Sequence, residues 1–573
     1  MKHLFISLCF LYKFASHAQP GFAWAKQMGG PGYDSAWGIT TDSKNNAITT
    51  GYFGSTADFD PGPGIFTLTA SGSSDIFISK LDVNGNFLWA KSLGGDTGDW
   101  GLSITSDRYD NIYVAGFFYR TADFDPGPSV FNMTAFGGNS GDAFLLKLDP
   151  AGNFVWAKQF GGNSSDRATA LVVDTQGSIY IAGDFAGTAD FDPGLNIYNL
   201  TSPGGYSNYV CKLDSIGNFI WAKNIVKYVS SGLDLWDMAV DSSFNIYTTG
   251  RFQGSADFDP GPNNYILTSK GNYDIYLNKL NSSGNLVWAL AFGGNSFDSG
   301  YSLAVDRVGN IVFTGCFMDT VDFDPGIGTQ TLVAMGVNDI FVSKLDSSGN
   351  FIWIKQMGGT SNDAGNALEI DLANNIYITG SFRSTNADFD PGAGTYLLNS
   401  VGFNDFYLCK LNTKGHFLCA GSMGGSGNGS GLNEGHSIAI NKYGEIFIAG
   451  QYASYACDFD PTTSTYTLAS PSSFNIFVTK LYDCGVTTKT NTDQVNENSV
   501  ILFPNPSSGV FNIHFSGTQT KISIYDILGN FILNKSCMSD TNLTIDLSGQ
   551  PKGIYILEII SEGQRTIKKV LVE

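Results

Sequence analysis

Ala57-Asp58-Phe59-Asp60-Pro61-Gly62 is the stretch whose reading decides the fold, because the chain repeats it almost letter for letter. Asp-Phe-Asp-Pro begins at Asp58, Asp123, Asp190, Asp257, Asp322, Asp388 and Asp458, 65 to 70 residues apart. The six earlier copies end in Gly and the last in Thr462, the drift expected of a terminal repeat. A period this regular means one supersecondary unit used seven times. The prior of about four domains of ~150 residues for a chain of 573 therefore does not apply.

Composition says what kind of unit it is. Gly is abundant (69), aromatic residues make up 14%, charged residues only 15%, and no long stretch shows 3.6-residue apolar periodicity. That suits short strands and tight turns. Each repeat divides into four strands by its alternating and short apolar runs, in the second unit 101–105, 111–117, 142–148 and 153–160. Residues 111–115 are apolar on both faces and predict a strand buried between sheets. The fourth strand alternates, with Trp at 24, 89, 156, 221, 288 and 353 and Cys419 in the remaining copy. Turns such as Asp149 to Asn153 and Asp346 to Asn350 supply the Gly and Asn that positive φ requires.

Four antiparallel strands repeated seven times predict an all-β, seven-bladed β-propeller of four-stranded blades. The ends of the repeat region agree. It opens with a fourth-type strand (22–26) that has no partner before it, and closes with a third-type strand (475–481) that has none after it. Together these would complete the last blade. Units such as Trp156-Ala157-Lys158 with Gly161-Gly162, Asn111-Ile112-Tyr113-Val114 and Phe144-Leu145-Leu146-Lys147-Leu148-Asp149 resemble the bacterial seven-bladed β-propeller repeat family over about residues 20 to 484. The resemblance implies an extracellular propeller without a defined activity. Unit four departs from it, because Asn224-Ile225-Val226-Lys227 replaces the Gly-Gly turn.

The flanks carry the destination. Residues 1–18 read as a secretory signal: Lys2 and His3, an apolar run from Leu4 to Tyr12, then Ser16-His17-Ala18. The propeller is expected over 19–484 and a Thr- and Asn-rich linker over 485–499. In 500–573, Pro504-Asn505-Pro506, 509–513, 522–526, Gly529, 545–548, 553–557 and 568–570 lay out alternating strands that suit a small Ig-like β-sandwich. Their order resembles the type A C-terminal sorting domain of the type IX (Por) secretion system. That resemblance implies the type IX machinery as partner and passage through the periplasm and outer membrane. It also implies removal of the domain, leaving a protein secreted or anchored at the cell surface. No segment approaches the ~20 apolar residues of a membrane helix, so no transmembrane segment is expected.

The net charge is -20, almost all of it in the repeats, since 500–573 holds equal numbers of basic and acidic residues. Such a field repels phosphate backbones, so no nucleic-acid partner is expected. The candidate cation sites are the acidic pairs of the motif: Asp58 with Asp60, Asp123 with Asp125, Asp190 with Asp192, Asp257 with Asp259, Asp322 with Asp324, Asp388 with Asp390, and Asp458 with Asp460. In an extended strand their carboxylates share a face about 7 Å apart, repelling by about 0.6 kcal/mol in water and more than ~2 kcal/mol at an effective dielectric of 20. Backbone N–H groups of the turn, the recurrent Lys of each third strand (Lys80 to Lys480), or Ca²⁺ could compensate.

A second acidic position, Asp34, Asp99, Asp166, Asp234, Asp298, Asp363 and Glu434, precedes each first strand and is expected either to cap a turn or to ring the channel mouth. His436 beside Glu434 reads as a solvated loop histidine, or else as a ligand or base. Cys409 and Cys419 flank one hairpin and would pair across it or remain buried thiols. No nucleophile motif or phosphate loop occurs. The expected function is a binding or scaffold module for an unknown extracellular protein or glycan, with no cofactor assigned. The alternative is a carbohydrate-active enzyme or peptidase on the propeller loops. A catalytic site should concentrate polar substitutions in one pocket, whereas a binding ring should keep its face uniform.

Overall fold

The computed structural model describes residues 19–228, 232–426, 432–470 and 474–484, and in the tail 500–503, 509–515, 520–526, 531–537, 541–561 and 564–572. The expected signal and linker, with Pro504-Asn505-Pro506 and Gly529, lie outside the described residues. The chain divides into two compact units, Met1–Thr488 and Lys489–Glu573. The named elements are strands throughout, and among the described residues no helix is long and apolar enough to cross a membrane.

In the first sheet of the larger unit, Ser35–Thr41, Ala47–Phe53, Asp75–Leu81 and Phe87–Gly95 pair antiparallel in chain order. The same meander recurs along the chain until Glu434–Ile440, Ile446–Tyr452 and Asn475–Tyr482. The fourth place beside them is taken by Gly21–Met28, with Lys26 opposite Val478. First strands of successive sheets touch one another in order, and Glu434–Ile440 touches Ser35–Thr41. The arrangement is propeller-like.

Apolar cores form between the sheets: Ile48, Ile76 and Ile78 of the first pack on Ile112, Val114 and Phe144 of the second. The second strand is buried on both sides, as its unbroken apolar run requires. Turns carry the expected chemistry. Asp149 Oδ1 accepts from Ala151 N and Asn153 N, and Gly152 has φ +79°.

The Asp-Phe-Asp-Pro hairpin, which lies between the second and third strands, joins neighbouring sheets. Gly29, at the end of the last sheet's outer strand, exchanges backbone hydrogen bonds with Asp58 (2.9 and 3.0 Å). Gly358 does so with Asp388 and Gly424 with Asp458. The motif's Phe is fully buried at all seven positions, from Phe59 to Phe459. Each such burial contributes roughly 1.5–3 kcal/mol.

Two expectations about the sheets are corrected. Cys409 does not pair with Cys419: Cys409 is a buried free thiol, and Cys419 is bonded to Cys484. Cys409 lies opposite Ala420 and Lys410 opposite Cys419, so the two sulfurs leave the hairpin on opposite faces. The recurrent lysines do not compensate the acidic pairs either. They sit at the far end of the sheets, where Lys80 meets Asp42 (2.9 Å), Lys344 meets Asp306 (2.8 Å) and Lys480 meets Glu445 (2.8 Å).

The smaller unit has a three-stranded sheet (Val500–Phe503, Val510–Phe515, Thr541–Asp546) and a four-stranded one (Phe531–Cys537, Thr520–Asp526, Gly553–Ser561, Gln564–Val572). Phe511, Ile513 and Ile545 of the first share one core with Ile522, Ile524, Leu557, Ile559 and Val570 of the second.

Candidate functional site

The acidic turns repeat in detail. Asp58 Oδ1 accepts from Asp60 N (3.0 Å) and Phe66 N (2.9 Å), and Asp60 Oδ1 accepts from Gly62 N (2.9 Å). In the second turn Asp123 accepts from Asp125 N and Phe131 N, and Asp125 from Gly127 N. In the third, Asp190 accepts from Asp192 N and Tyr198 N, and Asp192 from Gly194 N. Asp257 with Asp259 repeats the pattern, as does Asp322 with Asp324, whose Oδ1 takes Gly326 N. So does Asp388 with Asp390, whose Oδ1 takes Gly392 N. In the last turn Asp458 accepts from Asp460 N and Tyr466 N, and Asp460 from Thr462 N in place of Gly.

Backbone donors thus take one oxygen of every carboxylate in the motif. Among the described residues, no group of three or more His, Cys, Asp or Glu is placed to hold a metal ion. The carboxylates of Asp58, Asp60, Asp123, Asp125, Asp190, Asp192, Asp257, Asp259, Asp322, Asp324, Asp388, Asp390, Asp458 and Asp460 come in twos, as the sequence pairs them, and belong to no such larger group. In each turn the first Asp curls back onto amides two and eight residues on, and the second Asp onto the amide two residues on. A cation there would have to draw most of its shell from carbonyls and water.

One turn differs. Lys227 stands where Gly29 stands in the first turn, making the same backbone bonds to Asp257. Its ammonium donates to Asp257 Oδ2 (3.2 Å) and to the carbonyls of Asp259 (2.6 Å) and Gly261 (3.1 Å).

The second acidic series is not one series. Asp34, Asp99, Asp166, Asp298 and Asp363 are buried and cap backbone: Asp34, for example, accepts from Gly30 N (2.7 Å) and Gly54 N (2.9 Å), and Asp166 from Gly162 N (2.8 Å) and Ala186 N (3.2 Å). Burial pushes Asp34, Asp99 and Asp298 up to about 6 and Asp166 up to about 8. Register places Leu233 and Asn433 in this series in units four and seven. Asp234 and Glu434 come one residue later and so face the other way. Asp234 accepts from Arg251 Nε (2.7 Å), with Arg167 at 3.7 Å.

What sequence reading missed is a ring of bulges. Every first strand skips one residue in its register against the second, and the skipped residues are Trp37, Leu102, Thr169, Trp236, Tyr301, Asn366 and His436. A bulge leaves its residue out of the ladder and re-aims its side chain. All seven line one cavity of about 460 Å³ between the first strands. The signal was the Gly in each second strand. A Cβ on Gly51 would lie 1.9 Å from Ser35 O, and one on Gly250 2.0 Å from Asp234 O, so only Gly admits the bulged strand.

The wall is polar in places and aromatic in others. Thr169 Oγ1 donates to Leu235 O (2.9 Å) and Asn366 Nδ2 to Gly435 O (3.1 Å), each in the next sheet. His436 is partly buried, with its side chain 8% exposed, rather than a solvated loop residue. Its Nδ1 meets Ala36 O (2.9 Å), its Nε2 meets Glu434 Oε2 (3.3 Å), and its ring stacks on Trp37. Burial would raise the Glu434 carboxyl, yet hydrogen bonds from His436, Gln451 and Asn404 hold it below the usual carboxylate range. Asp237, next to the bulge, accepts from Met238 N, Ser302 Oγ and Leu303 N, and burial pushes it up to about 6. An adjoining cavity of about 380 Å³ shares Asp237 and Ser302, and Glu369 on its wall is pushed up to about 7 by burial, with the Asp237 charge adding to the rise. The face is therefore not uniform, and its asymmetry gathers at this channel.

Comparison with known proteins gives two family matches. Residues 501–573 match a secretion system C-terminal sorting domain, and residues 155–184 match a β-propeller repeat. The chain carries both modules. Each match agrees with the corresponding resemblance read from the sequence, and a sorting tail points to export. An uncharacterized WD repeat-containing protein, L264, of Acanthamoeba polyphaga mimivirus is 24% identical over 80% of this chain and 38% of its own length. The regulatory protein FlaEY of Caulobacter vibrioides is 28% identical over 26% of this chain and 15% of its own. The chain thus spans well under half of each of these relatives. Among solved structures, a Bacteroides thetaiotaomicron protein of unknown function (12% identity, 81% of this chain and 98% of that one) has a TM-score of 0.24. A glycoside hydrolase family 32 structure from Bifidobacterium adolescentis (10%, 96% and 95%) also scores 0.24, and neither likeness bears on function.

Proposed function

We propose that the protein is a seven-bladed propeller, with its first strand closing the last blade, exported by the type IX system through an Ig-like sorting sandwich. It serves outside the cell as a binding module whose ligand seats in the channel. The observation that carries this reading is the bulge ring, in which a repeated frame presents seven side chains of six kinds to one cavity. The uneven face is what the sequence criterion expected of a catalytic site rather than a binding ring, yet binding is favoured over catalysis because the titratable groups there are engaged. Both nitrogens of His436 face protein oxygens, and Asp237 takes three donors. A general base needs a free site within reach of substrate.

Deleting 501–573 is expected to hold the protein in the periplasm; undiminished surface display or secretion would refute the export route. For binding, immobilised full-length protein is exposed to extracellular matrix from the producing cells. Wild type should retain a component that Trp236→Ala loses, and equal retention by both would refute the channel as the site.

A second proposal concerns the acidic turns. Lys227 supports a cation reading, because an ammonium already occupies the oxygen cage of the fourth turn, where the first turn has Gly29. Ca²⁺ would take the corresponding oxygens in the other six turns, with water completing its shell. Millimolar Ca²⁺ is then expected to raise the melting temperature and chelator to lower it; identical melts count against this proposal.

A further inference from the structure

The channel wall is specific enough to name a ligand class, on the reading that the channel is the recognition site. His436 stacks on Trp37 with centroids 4.7 Å apart and planes at 27°, while Trp236 meets Tyr301 edge-on at 5.8 Å and 78°. The first pair comes from the seventh and first sheets and the second from the fourth and fifth, so in a ring of seven they stand on opposite arcs of one cavity. Two aromatic walls across a gap select a ligand with two apolar faces. The lining beside them is polar, with Asp237 and Ser302 adjacent to the bulges.

We infer that the channel binds a neutral or amino-substituted pyranose, sandwiched between the Trp37 and Trp236 walls. A sugar ring offers C–H faces to the aromatics and a rim of hydroxyls to the carboxylate and the serine. An aromatic or proline side chain has the faces without the rim. An anionic sugar meets Glu434, which its hydrogen bonds hold ionised, and is disfavoured.

The test is titration of the full chain with oligomers of glucose, N-acetylglucosamine, glucosamine and galacturonate, followed by tryptophan fluorescence and calorimetry. At least one neutral or amino oligomer is expected to saturate, with galacturonate about tenfold or more weaker, and Trp236→Ala should weaken binding by about tenfold or more. Trp37→Phe keeps a flat ring and guards against misfolding as the cause of a loss. It should retain most of the affinity, and Trp353→Phe on an outer strand all of it. Absence of saturation by every sugar, tightest binding of galacturonate, or a Trp236→Ala variant as tight as wild type would each overturn the proposal. Treating the matrix before capture separates this claim from the broader one. Channel-dependent retention abolished by periodate supports the sugar. Retention abolished by protease alone overturns the sugar and leaves a protein-binding channel. No channel-dependent retention overturns both.

Discussion

The acidic turns and the channel bulges both occur once per sheet, yet they differ in what has been kept. At the turns the side chains repeat, and so do their bonds, Asp to the amides two and eight residues on. At the bulges the backbone repeats, with one skipped residue opposite one Gly, while the side chain changes from Trp to Leu, Thr, Tyr, Asn and His. A side chain that shapes the backbone tends to recur with it, as the motif aspartates do at all seven turns. One that only projects from a shaped backbone is free to differ, and that freedom is what a recognition surface on a symmetric scaffold would need.

The contrast can be strained hardest where the frame is itself irregular. Trp24, Trp288 and Trp353 reach into the next repeat with an indole N–H donated to Val83, Ser347 and Thr413 carbonyls. The sixth sheet has Cys419 in that place, joined to Cys484 across 65 residues of sequence. Cys484→Ser is expected to cost roughly 4 kcal/mol in urea unfolding, by the entropy of a loop that long. Trp288→Phe should cost only about 1 kcal/mol, one hydrogen bond. Equal losses would mean that the cystine does no more than the tryptophan it replaces.

A smaller effect separates backbone from side chain at one bulge. Gly250→Ala puts a methyl 2.0 Å from Asp234 O and is expected to destabilise by about 3 kcal/mol and to unseat Trp236. Trp236→Ala, at a half-buried channel position, should cost about 1 kcal/mol or less while weakening binding. If the two melts coincide, the division between frame and surface fails at that sheet.

The last effect is electrostatic and is read as a slope with pH rather than as a single loss. Asp166 is pushed up to about 8 by burial, with the Asp142 charge adding to the rise, from an unfolded value of 3.8. The folded state therefore holds this proton more tightly than the unfolded one. Its contribution is fullest below about pH 4 and is lost as pH rises toward 8. Asp166→Asn, for which Asn433 in the seventh sheet is a precedent, should stay folded and lose fewer degrees of melting temperature between pH 5 and pH 8.5 than wild type. An unchanged slope would show that the aspartate is not the group being titrated.

Much of the frame was legible because it is written by repetition: strand types, turn chemistry and the pairing of residues near 24 with those near 478 follow from the period alone. The channel was not legible for the same reason, since a search for sameness passes over the position that varies. Gly51, Gly116, Gly183, Gly250, Gly315, Gly380 and Gly450 marked it, as strand-interior glycines mark close backbone approach. Asp234 and Glu434 were misplaced because counting by type ignored a shift of one residue, which in a strand reverses the direction of the side chain. Cys409 and Cys419 misled by the same parity. The acidic pairs were found by letter, but which amides each carboxylate would take depends on how the turn curls, and the spacing of two residues does not state that.

Among the described residues, the strand at Gly21–Met28 has as its only ladder partner a strand that begins at Asn475. More than four hundred residues must therefore be made before the first of them has anywhere to settle, and closure comes late, as contacts of long sequence separation do. The sheets between are built from strands adjacent in sequence, so each can form early while the seal of the ring waits for the residues made last.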